Sequence, residues 1–128
     1  MIYELKNGIG KVKEYEDYYI SGIQGQLKYE GEYLNGKKHG KGKEYYDDGN
    51  IKFEGEYLNG KRNGNAKEYY ENGSLKFEGE YLNGEINGRI KEYYKNNKLK
   101  FEGEYIKGIR NGKGKEYNEN GIKIFEGE

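Results

Sequence analysis

From Ile51 onward, Ile51, Phe53, Gly55 and Tyr57 fall on one face of an extended segment, and Lys52, Glu54 and Glu56 on the other. A period of two with bulky residues on one side only is the pattern of a strand with one covered face. The pattern recurs at a step of 24 residues, most visibly as five Glu-Gly-Glu strings at 30–32, 54–56, 78–80, 102–104 and 126–128. No stretch carries an apolar period of 3.6, and glycine every few positions penalises helix. A unit this short cannot bury its apolar face without neighbours, so the pattern predicts an all-β stack of tandem hairpins. Eleven strands are expected, a ribbon roughly 50 Å long at ~4.8 Å per strand.

The second strand of each unit resists phasing. Val12, Gly42, Ala66, Ile90 and Gly114 share one position, followed two residues later by Glu14, Glu44, Glu68, Glu92 and Glu116, and then always by tyrosine. Strict alternation places those glutamates on the covered face. Either a bulge re-aims the chain there or the face is only partly covered. Asp48-Gly49, Asn72-Gly73 and Asn120-Gly121 read as two-residue hairpin turns, which need positive φ at both central positions. Asn35-Gly36, Asn59-Gly60 and Asn83-Gly84 read as the start of a longer connection. Gly55, with Gly40, Gly42 or Gly64 on neighbouring strands, leaves backbone bare for rings of adjacent strands to lie on. The whole is one domain: an irregular unit over 1–29, regular units from 30, 54, 78 and 102, and a partial last strand over 122–128. In the first unit the hairpin from Glu16 to Gln26 is longer by six residues than its later equivalents, as expected of a terminal unit that caps a stack.

Composition sharpens this picture. Only 32% of the chain is hydrophobic, and half of that is aromatic, with 16 Tyr and 4 Phe. Such a supply suits a thin sheet covered by rings better than a round core. The mean hydropathy of −1.31 would suggest disorder, but disordered chains are poor in aromatics. With 23 basic and 23 acidic residues closely interleaved, no field of one sign recruits nucleic acid, and an anionic membrane surface gains no support from charge. Cysteine is absent, which fits a reducing compartment and removes thiolate metal chemistry. With no apolar leader and no segment able to span a bilayer, a soluble cytoplasmic protein is the expectation.

Candidate chemistry is sparse. Gly31-x4-Gly36-Lys37 imitates the start of a phosphate-binding loop, but Lys38 follows where a Ser or Thr would hold magnesium, so a hairpin connection is the better reading. His39 is the only histidine, at a position read as a turn where other units carry Asn63, Asn87 and Asn111. The carboxylate pairs Glu54/Glu56 and Glu78/Glu80 recur in every unit beside lysines, as a solvated face with cross-strand charge ladders would require. Asn72-Gly73-Ser74 matches a glycosylation acceptor only by the accident of a turn. The remaining candidate is a row formed by Tyr46, Tyr70 and Tyr94, flanked by Glu44, Glu68 and Glu92. On an open face this row would be a protein-binding surface of rigid amphipathic contacts; otherwise it covers the sheet.

The string Tyr29-Glu30-Gly31-Glu32-Tyr33-Leu34-Asn35-Gly36, closed by Gly40-Lys41-Gly42, resembles the MORN repeat (membrane occupation and recognition nexus), and the resemblance extends over essentially the whole chain. It implies an elongated, twisted antiparallel sheet. The 24-residue period and the glutamates at 44, 68 and 92 are similar to a bacterial branch of the family rather than the better-known eukaryotic one. That resemblance implies an immunity or antitoxin partner of a secreted toxin, and it weakens the association with phospholipid membranes. The resulting expectation is a non-enzymatic module with no cofactor that binds and occludes a partner protein, in the most specific form a toxin. The alternative is a scaffold acting through self-association of edge strands or phospholipid contact.

Overall fold

The computed structural model describes residues 2–6, 9–15 and 25–127. The chain forms β1 (Ile2–Lys6), β2 (Ile9–Tyr15), β3 (Leu27–Leu34), β4 (Lys37–Tyr45), β5 (Ile51–Leu58) and β6 (Lys61–Tyr69). It continues through β7 (Leu75–Leu82), β8 (Glu85–Ile86), β9 (Gly88–Tyr93), β10 (Leu99–Ile106), β11 (Ile109–Tyr117) and β12 (Lys123–Gly127). All belong to one antiparallel sheet in chain order, with β8 set beside β7 where the strand leading into β9 is interrupted at Asn87. The expected eleven strands are therefore present, one of them broken in two. Most of the long hairpin expected from Glu16 to Gln26 lies outside the described residues.

The two kinds of turn are exchanged relative to the sequence reading. Asn35 (φ +50°) and Gly36 (φ +82°) join Leu34 to Lys37 directly, a two-residue turn with both φ positive. Asn59-Gly60 and Asn83-Gly84 repeat it. Asp48-Gly49 instead lies in a longer loop between the paired residues Tyr45 and Ile51, where only Gly49 has positive φ. That loop closes through Tyr46 N–H donating to the Asn50 carbonyl at 2.8 Å, with the Asp48 carboxylate accepting from Asn50 N–H at 2.9 Å. Asn72 plays the same part for Ser74, accepting from its N–H and its hydroxyl.

A bulge resolves the phase of the second strand. Tyr33 lies opposite Lys38 and Gly31 opposite Gly42, so two steps on β3 match four on β4. The same shift occurs between β5 and β6. The surplus is absorbed at Gly40 and Gly64, whose φ values of +71° and +105° favour glycine. Carboxylates secure the bulges: Glu32 accepts from the Lys41 N–H and Glu56 from the Asn65 N–H, each at 3.0 Å. His39 lies within this bulged part of β4, not in a turn, and the positive φ falls on the next residue.

One face is covered by rings. Tyr29 and Phe53 are 1% and 0% exposed, and Tyr57, Phe77, Tyr81 and Phe101 are buried beside them. They meet edge to face in a zigzag in which Tyr57 contacts Tyr29 of the preceding unit at 5.6 Å and Tyr81 contacts Phe53 at 5.9 Å, the arrangement that ring quadrupoles favour. The glycines make room for them, and the covering ring comes from the adjacent strand, as at Gly42, or from the glycine's own strand, as at Gly103. A Cβ at Gly42 would lie 2.7 Å from Tyr29 Cε1, and one at Gly103 would lie 2.7 Å from Phe101 Cζ. At Gly55 the obstacle is instead the neighbouring strand, with Asn65 O at 2.8 Å and Ala66 Cβ at 2.9 Å.

Candidate functional site

The two faces of the sheet carry different chemistry. On the ring face Glu44 stands opposite Phe53, and Glu68 opposite both Phe53 and Phe77, so alternation does place these glutamates on the covered side. Each is neutralised there. The Tyr57 hydroxyl donates to Glu44, and the Arg62 guanidinium bridges Glu44 at 2.8 Å and Glu68 at 3.1 Å while lying 3.9 Å over the Phe53 ring. Burial alone would raise the Glu44 carboxyl, but the Tyr57 hydroxyl and Arg62 outweigh it and hold the pKa below its ordinary value. Burial first, and Glu44 second, push the Tyr57 hydroxyl well above the usual tyrosine range. Arg110 repeats the clamp over Phe101, at 4.0 Å, with Glu92 and Glu116. Lys38 takes that place in the first regular unit, 4.4 Å over Tyr29, while Ile86 takes it in the third and packs on the ring cluster.

The row singled out from sequence separates into two. Glu44, Glu68 and Glu92 belong to the clamps on the ring face. Tyr46, Tyr70 and Tyr94 stand at the long loops, half-buried. There the Tyr46 hydroxyl donates to the Tyr69 carbonyl at 2.6 Å, Tyr70 to Tyr93 at 2.6 Å and Tyr94 to Tyr117 at 2.8 Å. Each bond ties one unit to the next, and Lys52, Lys76 and Lys100 lie over the three rings. At the opposite margin Asn63 and Asn87 accept from Asn83 N–H and Lys107 N–H of the next turn. His39 occupies the equivalent place with its Nδ1 buried and without a hydrogen-bond partner. The sequence motif from Gly31 to Lys37 is part of a hairpin, with Gly36 in its turn.

The second face is charged and concave, and its order was only partly anticipated. Lys13 lies opposite Glu30, Glu30 opposite Lys43 and Lys43 opposite Glu54. The alternation then runs unbroken through Lys67, Glu78, Lys91, Glu102 and Lys115 to Glu126. Two residues along each strand a second row has the same signs, with Lys11 opposite Glu32, Lys41 opposite Glu56 and Arg89 opposite Glu104. Within these two rows each strand carries charges of one sign, and neighbouring strands alternate. Among the described residues only Asn65, opposite Glu80, is neutral where a cation is expected. These stripes floor a groove of ≈ 1490 Å³ that crosses the stack from β2 to β10. Ion pairs within the main row close near its ends, Lys13–Glu30 at 3.7 Å and Lys91–Glu102 and Lys115–Glu126 at 4.0 Å. Among the described residues Lys43, Lys67 and Glu78 close none within 4.0 Å. The Tyr69 hydroxyl donates at 2.7 Å to Glu54, a residue of the groove lining. Burial, then this carboxylate, raise its hydroxyl to about 12.

Comparison with known families agrees with this geometry. The MORN repeat matches residues 29–51 and 101–123, and the MORN repeat variant matches 62–83 and 86–107. The chain belongs to the MORN-repeat family. The segments 29–51 and 101–123 contain the two-residue turns Asn35-Gly36 and Lys107-Gly108, whereas 62–83 and 86–107 join their strands through the longer loops. MORN repeats are in general protein- or membrane-binding modules, so the broad faces of this MORN-repeat protein are where contacts are to be sought. Among curated proteins no match to the chain is found.

Proposed function

We propose that this MORN-repeat protein is a non-enzymatic module that binds a partner protein along the concave, charge-striped groove. The observation that supports the reading is that the middle of the groove floor holds solvent-facing charges without close ion-pair partners, Lys43, Lys67 and Glu78. Alternating charge of this kind gives specificity and register more than raw affinity. The polar constellations on both faces recur from unit to unit, as a binding surface does and a catalytic centre does not. The finer reading is an immunity or antitoxin-type protein of the cytoplasm that occludes a toxin, and it rests on resemblance to the bacterial branch of the family.

The test is capture of partners from native cell extract by the tagged protein, repeated with the double variant Lys67→Glu/Glu78→Lys and with Tyr70→Ala. One stoichiometric partner that is lost with the double variant supports the groove. Loss only with Tyr70→Ala moves the site to the tyrosine row. Growth rescue when protein and partner are co-expressed would support the antitoxin form, and a partner harmless on its own would end it. Self-association is the second reading, favoured by the exposed apolar residues at the β12 edge, where Ile122 is 61%, Ile124 60% and Phe125 50% exposed. Sedimentation that stays monomeric with rising concentration would remove it.

A further inference from the structure

We infer that the groove seats an α-helix of the partner protein whose facing residues alternate in sign once per turn. This rests on the protein-binding reading above and specifies its partner. Two observations carry it, the spacing of the stripes and their sign order. Adjacent strands lie ~4.8 Å apart, so a ligand running along the stack meets a charge of opposite sign at every such step. An α-helix presents a side chain to one side about every 5.4 Å, through its i, i+3 and i+4 neighbours. The mismatch is about 0.6 Å per turn and reaches only ~2 Å over four turns, which flexible lysine and glutamate side chains absorb. An extended segment repeats its facing side chains every ~6.7 Å and falls out of phase within three steps.

Other occupants fit less well. A ligand of one sign, nucleic acid included, meets as many repulsive stripes as attractive ones. A second copy of this chain offers no helix among its described residues, and its own striped face is a groove, which cannot enter another groove.

The sign order also fixes where the helix sits. Sliding it by one strand sets like charge over like along its whole length, while sliding it by two restores every pair. Binding therefore locks in steps of one repeat. Asn65, the neutral place in the second row, breaks the equivalence of these steps, so a helix with an uncharged residue there has one preferred register.

The probe is a library of a displayed rigid helix whose outer face is randomised among Glu, Lys and Ser, selected against the full chain. Alternation of sign once per turn is the expected enrichment. The enriched clones should lose about tenfold or more in affinity for Lys67→Glu/Glu78→Lys, a swap that preserves net charge and the cross-strand pair. Inverting the facing charges in the clone should restore binding. Lys43→Ser replaces the swap if melting shows that the swap disturbs folding. Enrichment of single-sign or apolar faces, or clones indifferent to these variants, would overturn the helix. If the natural partner is sensitive to the swap but binds undiminished with proline placed throughout its binding segment, the helix falls and the protein-binding reading stands. If neither the natural partner nor any clone responds to the swap, both fall.

Discussion

At Gly42 the absence of one carbon decides the packing, because a Cβ there would enter the Tyr29 ring. Gly42→Ala is expected to lower stability by about 1–3 kcal/mol, as overpacking does, whereas Gly36→Ala meets no atom within 4 Å and carries only the strain of its φ of +82°. Chemical denaturation of the two variants checks which term is larger. Arg62 is the other critical residue, since two glutamates and the Phe53 ring depend on it. Arg62→Ala should cost about 2–3 kcal/mol by stranding partly buried carboxylates. Arg62→Lys should cost less, because the preceding unit works with Lys38, yet a point charge cannot bridge both partners. These clamps also set the response to pH. Glu44 titrates below its ordinary value of 4.5 when folded, so its contribution is present above that value and is lost as pH falls through the folded pKa. Tyr69 is raised from 10.0 to about 12, so its contribution is intact below pH 10 and disappears as pH climbs toward 12. Thermal melts across both ranges, with tyrosinate absorbance on the alkaline side, should show stability falling at each end. Glu44→Gln should flatten the acid limb.

Hairpins in this sheet are joined as much by side chains as by ladders. Tyr70 donates to the Tyr93 carbonyl across a unit boundary, and Tyr70→Phe removes that bond while keeping the ring. A loss of about 1 kcal/mol is expected, with Tyr46→Phe and Tyr94→Phe adding nearly independently because they share no partner. Urea titration of the single and triple variants measures this. The strand pattern was plain in the sequence, since alternation of Phe53, Gly55 and Tyr57 against Glu54 and Glu56 is a local property. The assignment of turns was not. Asn35-Gly36 and Asp48-Gly49 have the same kind of dipeptide, and the tight turn falls at the first because Leu34 and Lys37 already pair. At the second, the register shift at Tyr45 leaves more chain to close.

Across the molecule each strand touches little besides its neighbours, so the stack is close to one-dimensional and its units are nearly interchangeable. Removing residues 54–77 joins Phe53 to Glu78 and preserves every pairing rule of the sheet. The shortened protein should fold with the same circular dichroism shape and a lower melting temperature. Loss of all structure would show that one unit nucleates the rest. The groove would shorten by two stripes and keep its alternation, so binding should weaken without changing its preference for ligand charge order.

Alternation, positive-φ residues and a fixed period are carried by residues close together in the chain. They are sufficient to specify an all-β MORN stack, its hairpins and the identity of its two faces. Whether Glu44 was tolerated on the ring face depended on Tyr57 and Arg62, 13 and 18 residues away, the first placed by the pairing of β4 with β5 and the second by the bulge at Gly64. The division of Tyr46 from Glu44 likewise followed from the register shift between them. The concavity of the charged face and the order of its stripes arise only when the strands are aligned side by side, because neither pairing register nor curvature belongs to any one strand.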